Sequence, residues 1–424
     1  MSVTSNGAGH GDFEIGTTSR TSRPRIAVYA IARNEERHVE RWAASAQDAD
    51  IIVLVDTGST DRTVQRARDL GVTVHQIRIE PFRYDLARNS ALDLVPAEID
   101  LCISLDLDEV LAPGWRPHLE RAWRQGATRV RFWYEWPWSD VYPPLRFTSV
   151  ERIHTRHGWQ WRYPVHEELV SDHREVEVQV RSALEIHHLR DSIGSRPHYL
   201  DLLRLRAEEH PEDGRTAHLL ASEARMGGLW DEAILHERRA LTLVLAPNER
   251  LHAMLMCAYL EPDRRETWLL TACSEFPARR EPWCDLAQLH LDRGDWRACR
   301  AVADTALRIL EPSDDYLANV FAWGPWPERL AALASIELGD VERAVHHARR
   351  ALRAAPADHE SIDLLQRAIA IATLGRQATQ TASDDRLPEP LPGPLSAPVQ
   401  DPGWRSPFYS AKVMLRRAGN VRQG

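Results

Sequence analysis

Leu101-Cys102-Ile103-Ser104-Leu105-Asp106-Leu107-Asp108-Glu109-Val110 is the stretch on which the reading of this chain turns. Apolar and small residues run unbroken until two aspartates one residue apart, with a third carboxylate directly behind. A run of this kind, bounded by charge, predicts a strand buried on both faces, as strands of a parallel sheet are. Residues i and i+2 of a strand share a face, so a strand reaching Asp108 projects Asp106 and Asp108 together at its carboxyl end. Open α/β sheets bind ligands at that end. Two unpaired carboxylates there repel one another, and a hard divalent cation shared with a diphosphate resolves the conflict.

Upstream, the same grammar repeats. Arg25–Ile31 reads as a strand, and Ala32–Glu36 opens a helix reaching about Ala46. Ile51–Val55 is a second buried strand ending in the turn Asp56–Asp61, where Thr60 or Asp61 can cap a helix over Arg62–Leu70. Val72–Ile77 is a third strand, and Arg83–Leu94 a helix. Strands alternating with short helices specify a parallel α/β sheet with right-handed crossovers. Downstream the period changes. Ala127–Tyr134 alternates like an antiparallel strand, and Arg152–His154 and Trp159–Tyr163 follow as short strands. Leu184–His188 alternates as a last strand, with Leu184, Ile186 and His188 on one face.

The whole chain bounds the classes open to it. Its 424 residues suit two or three domains, and 43% hydrophobic with 27% charged residues is a globular composition. A net charge of −9 argues against non-specific nucleic-acid binding. No apolar run reaches the length of a membrane-spanning helix. The five cysteines form no CxxC pair and read as reduced residues of a cytoplasmic protein. Fifteen tryptophans, many between Trp115 and Trp161, suit either core filling or stacking on sugar faces.

Four signatures stand in order: Val28–Glu36, Val55–Asp61, Ala87–Asn89 and Leu105–Glu109. Together they resemble family 2 glycosyltransferases of the GT-A fold, a Rossmann-like mixed sheet that handles nucleotide-diphosphate sugars. The resemblance covers about Arg25 to Leu189. It implies that Ala30, Arg33, Glu35 and Asp56 line the nucleoside pocket and that Arg88 lies near base or phosphates. It also implies that Asp106 and Asp108 address Mn²⁺ or Mg²⁺ and the donor ribose, with His188, rather than His187, closing the metal shell. Inverting transfer needs a carboxylate to take the acceptor's proton. Glu167 is the candidate, with Glu168 and Asp140 as rivals; its alternative role is to fix a neighbouring arginine. Arg88 likewise could serve as a salt-bridge partner.

From about Ser195 the chain is rich in Leu, Ala, Glu and Arg at helical spacing. Gly228–Ala233, Gly294–Cys299 and Gly339–Ala344 share one pattern, a glycine turn leading a helix whose small residue recurs seven positions on, at Ala240, Ala306 and Ala351. The spacing resembles tetratricopeptide repeats. The expected layout is a disordered leader over 1–24, a GT-A domain over 25–192, an all-α repeat domain over 193–372 and a Pro/Ser-rich disordered tail over 373–424. It is similar to that of sublancin-type peptide glycosyltransferases. The resemblance implies a sugar, a UDP-hexose in the first instance, passed to a soluble acceptor. The repeats would hold that acceptor, whether peptide, metabolite or glycan, or a second subunit in a homodimer. Two enzymatic alternatives are a cell-envelope polysaccharide glycosyltransferase and a nucleotidyltransferase, although Ala30–Glu35 lacks the latter's glycines. The non-enzymatic alternative is an interaction scaffold on a vestigial nucleotide fold.

Overall fold

The computed structural model describes residues 20–136, 145–150, 152–172, 177–189, 199–312 and 320–383. The leader to residue 19, Asp140 and residues 384–424 lie outside that set. Contacts divide the chain into two compact units. One comprises Met1–Tyr134, Ser149–Arg162 and Glu167–His187; the other comprises Glu135–Thr148, Tyr163–His166 and His188–Gly424.

The first half of the chain holds β1 (Ile26–Ala32), α1 (Val39–Ser45), β2 (Ile51–Asp56), α2 (Thr63–Asp69), β3 (Thr73–Gln76) and α3 (Tyr84–Asp93). Then come β4 (Leu101–Ser104), β5 (Glu109–Leu111), α4 (Trp115–Arg124), β6 (Arg129–Trp136) and β7 (Leu145–Ser149). The last strands are β8 (Ile153–Thr155), β9 (Trp159–Arg162), β10 (Glu168–Ser171) and β11 (Gln179–His188). The curled mixed sheet runs β3-β2-β1-β4-β8-β6-β11-β5. β1 is parallel to β2 and β4, β2 is parallel to β3, and β8 is antiparallel to β4 and β6.

Burial explains the strands. Every residue of β4 is buried, and Ala27, Tyr29, Val53, Val55 and Cys102 pack with Ala91 and Leu92 of α3. Trp42 of α1 is fully buried and donates from Nε1 to the Leu105 carbonyl at 3.0 Å. The sequence opens the first helix at Ala32–Glu36, but α1 starts only at Val39. Residues 33–37 form a loop in which Asn34 takes a positive φ of 59°. Its bonds to the Asp56–Asp61 turn replace helical ones: Asn34 N donates to Ser59 Oγ (2.8 Å) and Thr60 N to Asn34 Oδ1 (2.7 Å).

The second unit is helical: α5 (Tyr199–Glu209), α6 (Gly214–Met226), α7 (Trp230–Thr242), α8 (Pro247–Leu260), α9 (Arg265–Glu275) and α10 (Arg280–Asp292). It continues with α11 (Trp296–Arg308), α12 (Val320–Trp323), α13 (Trp326–Glu337), α14 (Val341–Ala354) and α15 (His359–Ser383). Ala233, Ala240, Cys299, Ala306, Ala344 and Ala351 are all buried, which lets neighbouring helices approach closely. Gly228, Gly294 and Gly339 take φ of 78°, 72° and 72°, the left-handed turn that launches α7, α11 and α14. Arg206, also buried, donates to the carbonyls of Val165 (3.3 Å) and His166 (3.0 Å) and to Asp213 (2.9 Å), with its guanidinium 3.6 Å above the Tyr163 ring. α15 continues past residue 372, where composition ends the array, because the prolines that break a helix begin only at Pro388. Among the described residues no helix is long and apolar enough to cross a membrane. All five cysteines are buried and unpaired.

Candidate functional site

Strand order reverses between β1 and β4, so the crevice at which an open α/β sheet takes a ligand lies at the carboxyl ends of these two strands. Ala30 and Arg33 belong to the first, Asp106 and Asp108 to the second.

β4 stops at Ser104 rather than running on to Asp108. Glu109 is the reason. Its Oε2 accepts from Asp106 N at 2.9 Å and its own N donates to the Asp106 carbonyl at 3.0 Å, folding the chain into a turn. The same-face argument of a continuous strand therefore does not apply to Asp106 and Asp108. Nor is Asp106 unpaired. Arg88 of α3 reaches Oδ1 at 2.9 Å and Oδ2 at 3.1 Å, and Arg152 Nη2 reaches Oδ2 at 2.9 Å. Burial pushes the Asp106 carboxyl up, and the two guanidiniums, Arg152 first, overcome it and hold it well below the ordinary range.

The network extends from there. Arg88 also donates to Ser104 Oγ at 3.1 Å and to Glu167, which therefore shares its guanidinium with Asp106. Arg152 donates to Glu109 Oε1 at 3.1 Å, and the Tyr134 hydroxyl donates to the same oxygen at 2.7 Å. Glu109 is 1% exposed; burial, with the charges of Asp106 and Asp108 beside it, raises its pKa against the pull of Arg152. Four carboxylates, Asp106, Asp108, Glu109 and Glu167, thus stand beside two guanidiniums, Arg88 and Arg152. A hard cation suits that carboxylate set, with half-buried Asp108 on the turn as an oxygen donor.

The other expected residues fall as follows. Asp56 is fully buried at the end of β2, and its oxygens accept from Ser59 N (3.1 and 3.2 Å), Gly58 N (3.3 Å) and Gln76 Nε2 (3.3 Å), so it shapes the loop. Ala30 is buried in β1 opposite Leu54. Glu35 N donates to Thr63 Oγ1 at 2.8 Å, and its carboxylate lies 3.6 Å from His38. Arg33 is exposed directly after β1, with no side-chain partner among the described residues. Glu168 opens β10 opposite Arg162. His188 ends β11, falls in the second compact unit and has its ring 5.1 Å from that of Trp136. Beneath the site a buried relay runs from Trp161 Nε1 to the Tyr29 hydroxyl (2.9 Å) and on to His154 Nε2 (3.0 Å).

Sequence reasoning passed over Arg152 and used Glu109 only as a third charge. Glu109 had a local signal, adjacency to Asp108. Arg152 had none, because its partner Asp106 is remote in sequence.

No known family profile matches the chain, and no curated protein does. Among solved structures, glucosyl-3-phosphoglycerate synthase from Mycobacterium tuberculosis, in complex with Mn²⁺, UDP and glucosyl-3-phosphoglycerate, is 25% identical over 26% of this chain and 44% of its own, with a TM-score of 0.23. MamA matches at 14% identity over 36% of this chain and 85% of its own, with a TM-score of 0.30. A thermophilic TPR protein from Thermus thermophilus matches at 16% over 41% and 89%, with a TM-score of 0.28. The chain spans less than half the length of the synthase it matches.

Proposed function

We propose that this chain is a metal-dependent, inverting glycosyltransferase that moves a sugar from a nucleotide-diphosphate donor, a UDP-hexose in the first instance, to a soluble acceptor. The observation that supports it is the grouping of carboxylates at the strand-order reversal, where donor diphosphate and cation belong together. Asp108 and Asp106 would hold Mn²⁺ or Mg²⁺, which when bound supplies charge neutralisation to the departing diphosphate. Arg33, exposed at the end of β1, pairs with the diphosphate, and the loop shaped by Asp56 receives the base. Arg88 and Arg152 orient Asp106 toward cation and ribose. Glu167, which bonds Arg88, takes the acceptor's proton as the nucleophile bonds the anomeric carbon and the bond to the diphosphate oxygen breaks. The helical unit binds the acceptor, be it peptide, metabolite or glycan.

A thermal shift with UDP and Mn²⁺ tests the reading, since a ligand at a hundred times its Kd stabilises by about 2.7 kcal/mol. Asp108→Ala should abolish the shift without lowering the unliganded melting temperature. Glu167→Gln should keep the shift and lose slow hydrolysis of the nucleotide sugar. A second reading, the vestigial nucleotide fold, is favoured by the arginines that already satisfy Asp106 and Glu167. No shift with any nucleoside diphosphate establishes that one instead.

A further inference from the structure

Within the helical unit a carboxylate and two imidazoles stand in file across three successive helices. Glu237 of α7 is 1% exposed, His218 of α6 is 5% exposed and His252 of α8 is half-buried. His218 Nδ1 lies 2.7 Å from Glu237 Oε2, and His218 Nε2 lies 2.9 Å from His252 Nδ1, with the two rings edge to face at 83°. Each gap holds one hydrogen. With both rings neutral, His252 Nδ1–H donates to His218 Nε2. A first added proton sits on His218, whose Nε2–H then donates to His252 Nδ1 while His252 carries its own hydrogen on Nε2, and no bond is lost. A second proton puts two hydrogens into the 2.9 Å gap and like charges on facing rings, which that bond does not survive. Other charged groups face the file. Arg225 of α6 and Glu249 of α8 act on His218, and His236 of α7 acts on Glu237. Glu249 pairs with Arg215 of α6 at 3.3 Å, α5 contributes Arg206, bound to Asp213 at 2.9 Å, and α9 contributes Glu275, bound to Arg250 at 2.8 Å. Burial pushes the His218 pKa down, and Glu237, by charge and hydrogen bond, overcomes it and raises the value above 6.5, so the first proton's contribution is present below that pH and lost as pH rises through the raised value. Burial raises Glu237 as well, against the pull of His218, and on either partner a single hydrogen fills their gap.

We propose that His218 and His252, anchored by Glu237, are an acid-sensitive clasp between α6 and α8. It stays shut while the two rings share one hydrogen and opens when both are protonated. The Arg215–Glu249 pair, one turn before His252 on α8, involves neither ring, so opening pivots α8 about that pair rather than detaching it. The clasp thereby ties the packing of the α6–α7 hairpin on α8 to proton concentration. Half-buried His252 is the ring through which the second proton enters from solvent. The clasp stands whether or not the sheet unit is a transferase.

The test is hydrogen–deuterium exchange of the full chain at about pH 7.5 and about pH 5, on either side of the ordinary histidine value, with rates corrected for intrinsic exchange. In the parent protein the α8 amides should exchange about tenfold faster at the lower pH. In His252→Gln the side-chain amide donates to or accepts from His218 but takes no proton, so the corrected α8 rate should be the same at both values. His252→Lys fixes a positive charge at the half-buried position and should show the faster rate at both. A lysine variant that does not fold leaves the decision to the parent and glutamine proteins. A parental α8 rate that ignores pH, a glutamine variant that keeps the parental acid response, or a folded lysine variant as slow as the parent at about pH 7.5 overturns the clasp.

Discussion

Replacing Arg88 by Met isolates the ionic network from any ligand. The side chain is 6% exposed and bonds Asp106 twice, Ser104 and Glu167. Removing one partner of a buried pair costs about 3–5 kcal/mol. Arg152 stays on Asp106, so the lower end applies, about 3 kcal/mol. For a unit of this size that lowers Tm by about 6–12 °C. A pH signature separates the network from simple packing. Asp106 titrates below its unfolded value, so its contribution is complete above about pH 4 and disappears as pH falls through the folded value. Glu109 is raised and works in the opposite direction: its contribution is present below the unfolded value and lost as pH rises through the folded one. Losing Arg88 brings Asp106 back toward normal, so the variant should lose less stability than the parent on acidification. The assay is urea unfolding from neutral to acid pH for Arg88→Met, Asp106→Asn and the double variant, with a coupling energy of about 0.5–3 kcal/mol expected. An Arg88→Met protein with parental Tm and parental acid slope refutes the network.

Three further outcomes are expected. Tyr29→Phe leaves Trp161 Nε1 and His154 Nε2 buried without a partner and should cost about 2–4 kcal/mol in urea unfolding. Burial holds His154 down to about 3 from an ordinary 6.5, so its neutral ring's contribution is present above pH 6.5 and lost as pH falls toward 3; His154→Gln should flatten that limb of the stability curve. Gly339→Ala meets open space but must hold a φ of 72°, so its cost should be about 1–2 kcal/mol from backbone strain alone, against about 1–3 kcal/mol for Ala344→Leu, which overpacks the core at Ala332, Ala348 and Leu364.

The alternation of apolar runs with helices was enough to specify the parallel core, because β1, β2 and β4 are buried and burial is written directly in hydrophobicity. The glycine and small-residue spacing likewise specified the helical hairpins, since each position answers to a local demand: a left-handed φ or a close approach. Those features are local, and sequence carries them. What it could not carry was the state of the charges. Reading Asp106 as unpaired was natural with only its neighbours in view, yet Arg88 and Arg152, distant along the chain, reach it across α3 and the sheet. Glu167 was weighed both as a base and as an arginine's partner, and only the fold seats it on Arg88. The end of β4 was hidden for the same reason: a buried Glu109 takes the Asp106 amide that a neighbouring strand would otherwise bond. Hydrophobic pattern fixes which strands are buried. Which carboxylate meets which guanidinium depends on distances that exist only once the chain has folded.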